Sequence, residues 1–102
     1  MTDPETLADR LSGDDDDAAA AAAGELAAMG SAAKCAVPAL AAALDDARPA
    51  EVRIAAAEAL GRLGQDARGA FVPLERASAA DDGEVAGAAR RALTAIGGGE
   101  YA

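Results

Sequence analysis

At 102 residues the chain has room for one domain with a modest core and not for two independent ones. A formal charge of −9, from 18 acidic against 9 basic residues, excludes the cation-rich surface on which binding to nucleic acid or to an anionic membrane depends. Of the apolar residues 33 are Ala, with one Phe, one Tyr and no Trp, a composition that favours closely spaced helices and leaves the few large side chains to supply most of the burial energy.

Six helices are predicted. "PETLADRLS" gives the first, over about 4–12. The acidic run "GDDDD" precedes "DAAAAAAGELAAMG" and a helix over 17–29, in which six successive alanines are far too few to span a membrane. The opening residues carry neither the basic start nor the apolar run of a secretion signal, so a soluble, cytoplasmic protein is expected. "GSAAKCAVPAL" predicts a helix over 33–45 with Ser31 as candidate N-cap, and "LDDARPAE" an acidic turn. "EVRIAAAEALGRLG" predicts a helix over 50–63, with Val52, Ala56, Leu60 and Leu63 on one face and Ala55 and Ala59 filling it out. Gly61 sits inside that helix, where it costs about 1 kcal/mol, so a close neighbour is expected there. "GQDARGAFVPL" predicts a helix over 67–79 capped by Asp66, with Phe71 and Val72 turned toward the neighbouring apolar stripe. "EVAGAARRALTAIG" predicts the last helix, over 84–96, and "GGGEYA" a frayed tail holding Tyr101.

Three of these segments are copies of one another. Residues 51–64 align with 17–30 at an offset of 34 and with 84–97 at an offset of 33, which superposes Leu26, Leu60 and Leu93, then Met29, Leu63 and Ile96. Gly30, Gly64 and Gly97 fall at the ends, where a left-handed residue stops a helix. Residues 30–40 match 64–74, and 4–12 reads as the tail of an earlier copy. Two helices per 33–34 residues specify an α-solenoid: one domain over 1–102, with units of about 1–30, 31–64 and 65–97 and a tail at 98–102.

"VRIAAAEALGRLG", followed by Ala67-Arg68, a Pro-Leu helix and an acidic turn, resembles the HEAT-like repeats of phycocyanobilin-lyase-type proteins over nearly the whole chain. The resemblance implies an all-α solenoid of three helix pairs. It also implies an inter-repeat ladder in which the Arg after Val pairs with Asp of the preceding turn, here Arg53 with Asp45 or Asp46. The outer copies carry Ala19 and Ala86 in place of Arg53 but keep acidic turns at 14–17 and 81–82, as terminal repeats that cap the stack would.

Chemistry is poorly supplied. The chain has no His, the usual general base and metal ligand, so neither catalysis nor a metal nor any other cofactor is expected. Cys35, the single cysteine, has no partner to activate it and is assigned to packing. An EF-hand loop starting at Asp14 fails because Ala18 and Ala19 stand where a ligand and a Gly are required, which leaves "DDDD" as a solvated turn that supplies an N-cap. "GGG" at 97–99 leads into no helix and is not a phosphate loop.

The expected function is a non-catalytic protein-binding scaffold. Its binding face is expected on the second helix of each unit, at Asp9, Arg10, Lys34, Arg68, Glu75 and Arg76, with Ala39 and Ala42 leaving the groove open. The partner is another protein, not nucleic acid or membrane, and the chain is expected to be a monomer with end-to-end association as the variant. Two alternatives are a subunit of a bilin-lyase or chromophore-handling enzyme, for which aromatics are few, and an acidic nucleic-acid mimic, for which the carboxylates cluster in turns instead of lining a face.

Overall fold

The computed structural model describes residues 3–13, 15–45 and 48–97, and leaves the side chains of Ser31 and Gln65 undescribed. Its α-helices are α1 (Pro4–Leu11), α2 (Asp16–Met29), α3 (Val37–Ala42), α4 (Ala50–Leu63), α5 (Phe71–Ala77) and α6 (Gly83–Gly97). Two 3₁₀ segments, Gly30–Ala36 and Gly64–Ala70, lead into α3 and α5. No strand occurs among the described residues.

Side-chain chemistry starts the helices. Asp3 Oδ1 accepts from the Thr6 N–H at 2.9 Å, Asp15 Oδ1 from the Ala18 N–H at 3.1 Å, and Asp82 Oδ1 from the Glu84 N–H at 2.9 Å. Each carboxylate fills an orphan donor and meets the positive end of the helix dipole. The acidic turns thus act as N-caps, as expected of the run before α2. The expected cap at Asp66 does not form: this residue lies within the 3₁₀ segment, which has no side-chain cap. Ser31's capping role lies outside the described residues.

Gly30 and Gly64 end α2 and α4 at φ 59°. Their ψ angles, −134° and −129°, differ from the left-handed helical value and place both in a region that only glycine occupies readily. Gly97, aligned with them in the sequence, closes α6 from within the helix and has no positive φ.

The long helices α2, α4 and α6 form one layer, with α4 packed between the other two. The second layer holds α1, the 3₁₀ segments, α3 and α5. Between them run Leu7, Leu11, Leu26, Leu40, Leu60, Leu74, Val52 and Val85, all fully buried, and no polar side chain is buried among the described residues. The all-α solenoid of six α-helices is the fold read from the repeat. Val52, Ala56, Leu60 and Leu63 are buried as their helical spacing required. Gly61 has its close neighbour: a Cβ there would stand 3.2 Å from Ala92 Cα of α6.

The second-layer helices depart from expectation. A 3₁₀ turn advances 120° per residue instead of 100°, so seven such residues rotate the next helix relative to a continuous α-helix. The buried positions Ala33 and Ala36, then Ala67 and Ala70, are three apart, as 3₁₀ geometry demands. Cys35, assigned above to packing, is exposed. Val72, expected against the apolar stripe, is 55% exposed, while Phe71 is half-buried against the core.

Candidate functional site

Alanine and glycine where three neighbouring helices meet leave a trough, because a methyl group cannot fill the space between neighbouring ridges. Such a trough of about 550 Å³ crosses α2, α4 and α6. Gly24, Ala27 and Ala28 line it from α2, Ala55, Ala57 and Gly61 from α4, and Ala88, Ala92 and Ala95 from α6. Its charged groups are Glu58 and Arg62 of α4 and Arg91 of α6, all exposed. These positions are repeat equivalents: Glu58 aligns with Gly24 and Arg91, and Arg62 with Ala28 and Ala95.

The six residues read from the sequence as a binding face are all exposed, but on the other layer. Asp9 and Arg10 lie on α1, Lys34 and Arg68 on the 3₁₀ segments, and Glu75 and Arg76 on α5. None lines the large groove. Arg76 lines a smaller notch of about 290 Å³ between α3 and α5, with Ala41, Ala42, Leu44, Asp45, Pro73 and Ala77. Val72, one turn before Arg76, stands exposed on the same helix. The repeat period identifies equivalent helices and says nothing of which layer is hollow. A signal for the large groove was nevertheless present, in Gly24, Ala28 and Ala95, small residues that lie outside the buried stripe.

The turn between α3 and α4 is held by arginines. Arg53 Nε donates to the Arg48 carbonyl at 3.0 Å, and Arg48 Nη2 lies 3.7 Å from Asp16 Oδ1. Asp45 sits in the same turn, its carbonyl accepting from the Arg48 N–H at 2.9 Å, and Asp46 lies outside the described residues. Arg48 was not singled out by sequence; only the tertiary contact pairs it with Asp16.

Among the described residues no cluster of three or more metal-ligating side chains occurs, and no helix is long and apolar enough to cross a membrane. The family model for HEAT repeats matches residues 4–94. The chain belongs to the HEAT-repeat family. HEAT repeats generally mediate protein–protein interaction and scaffolding and are generally non-catalytic. In this HEAT-repeat chain α2, α4 and α6 are the repeat-equivalent long helices, so the groove runs across the repeats and belongs to no single one. No curated protein matches the chain.

Proposed function

We propose that this HEAT-repeat chain is a non-catalytic protein-binding module of the cytoplasm, and that its partner seats in the groove across α2, α4 and α6. The observation that carries the reading is the groove itself: about 550 Å³, nearly twice the notch on the other layer, with no uncharged side chain larger than Ala along it. The groove's exposed positions, Gly24, Ala28, Glu58, Arg62, Arg91 and Ala95, can be varied without touching Leu26 or Leu60. We assign the repeats to the phycocyanobilin-lyase-like subtype, on "VRIAAAEALGRLG" and on Arg53 reaching back into the preceding turn. The single domain with units 1–30, 31–64 and 65–97 is the division we adopt.

A second reading places the partner on the α3–α5 layer, at Asp9, Arg10, Lys34, Arg68, Glu75 and Arg76. Val72 favours it, as the one large hydrophobic side chain exposed among the described residues, next to the notch that Arg76 lines.

Photocrosslinking groups placed at Ala28 and Ala95, and in separate variants at Ala42 and Val72, distinguish the two faces in cells that make the protein natively. Adducts at Ala28 and Ala95 alone are expected. Adducts confined to Ala42 and Val72 assign binding to the second layer.

A further inference from the structure

We propose that the occupant of the α2–α4–α6 groove is an amphipathic helix of another protein whose carboxylates meet Arg62 and Arg91; this rests on the groove reading above. Sign comes first. The whole chain carries −9, yet the charged groups along the groove are two arginines against one glutamate. Both guanidinium groups are exposed, and neither has an ion-pair partner among the described residues. Glu58 lies four residues before Arg62, the spacing at which helical ion pairs form, and no pair is made. Arg91 has no acidic residue at three or four positions on either side; its Nη1 lies back along α6, 3.7 Å from where a Cβ on Gly87 would stand. Two cations therefore stand unpaired at the groove of a protein with twice as many acidic as basic residues. Complementary carboxylates on a partner satisfy them.

The groove also selects the shape of the occupant. Apart from those three charged groups it offers only Ala and Gly on helices, whose backbone groups are already paired within the helix. An extended peptide would leave its own N–H and C=O groups without partners there, whereas a helix brings them satisfied. Side chains no longer than a methyl let a guest helix approach to the short end of the usual interaxial range, about 8 Å. At Gly24 even a Cβ would meet nothing within 4 Å. The α2 side of the groove holds no charge, so the guest is expected to lay small apolar residues on Gly24 and Ala28 and its acidic pair on α4 and α6.

The test is a selection of phage-displayed helical peptides on the full-length chain, with binding sites mapped by amide chemical shifts. The expected binders carry Asp or Glu pairs one turn apart, shift Gly24, Ala28, Arg62 and Arg91, and lose affinity about ten-fold or more to the Arg62→Glu/Arg91→Glu variant, as reversal of two partly exposed pairs predicts. Circular dichroism confirms that the variant keeps its helices. Groove-mapped binders without acidic enrichment overturn the proposal and leave the groove reading standing. Binders that map to α3 and α5, or the absence of any binder, overturn both.

Discussion

Arg48 Nη2 lies 3.7 Å from Asp16 Oδ1, an ion pair that ties the turn before α4 to the first turn of α2. The atom is buried and makes no hydrogen bond, while Asp16 is half-exposed. The pair joins two neighbouring repeat-equivalent helices through the turn between them. A double-mutant cycle with Arg48→Met and Asp16→Asn is expected to give a favourable coupling of about 0.2–1 kcal/mol, reduced in salt. Zero coupling in denaturant melts at low salt would make the contact incidental.

Two glycines of equivalent-looking helices should respond to alanine with opposite sign. At Gly24 the added methyl meets nothing within 4 Å, so Gly24→Ala should stabilise by about 0.4–1 kcal/mol through helix propensity and a restricted unfolded chain. At Gly61 it would press on Ala92 Cα, which is backbone and cannot turn aside without moving α6. Overpacking of about 1–3 kcal/mol outweighs the propensity gain, and a net loss is expected. Thermal melts of both variants check this; a stabilised Gly61→Ala would mean that α4 and α6 are not in close contact.

Leu60 is fully buried between the layers, and Leu60→Ala should cost about 2–5 kcal/mol. Val72→Ala, on an exposed side chain, should change stability by less than about 0.5 kcal/mol. Urea titrations that found the two equal would break the register of one layer or the other.

That contrast marks what the sequence made legible. Leu60 follows from the 3.6-residue spacing of an uninterrupted α-helix, and the ends of α2 and α4 follow from Gly30 and Gly64 recurring 34 residues apart. Val72 and Cys35 went wrong because both follow seven-residue 3₁₀ segments or lie within them, where α-helical spacing projects a residue onto the wrong face. No residue pattern distinguishes a 3₁₀ turn from an α turn in an Ala-rich run. The binding face was harder still. Charged residues mark the layer of α1, α3 and α5, while the groove is built from the residues with least chemistry, among them Gly24, Ala28 and Ala95.

Acid should loosen α1 through Asp3. The Thr6 N–H bond to its carboxylate holds the Asp3 pKa below the ordinary aspartate value. A lowered folded-state pKa contributes stability above the unfolded-state value, and this is lost as pH falls through the folded one. The Thr6 amide shift should therefore titrate with a midpoint below that of an unstructured Asp peptide. A midpoint at or above it contradicts the cap.

The most direct test of the binding account uses the partner recovered by crosslinking, titrated against two charge-reversed pairs on opposite layers. Arg62→Glu with Arg91→Glu alters the groove across α2, α4 and α6; Arg68→Glu with Arg76→Glu alters the face of the second layer. Each pair exchanges two positive charges for two negative ones, so a general effect of net charge is equal in both. The account predicts that the first pair weakens binding by at least about 1 kcal/mol while the second leaves it within error. The reverse, an intact affinity in Arg62→Glu/Arg91→Glu and a lost one in Arg68→Glu/Arg76→Glu, would contradict it and move the binding face to α3 and α5.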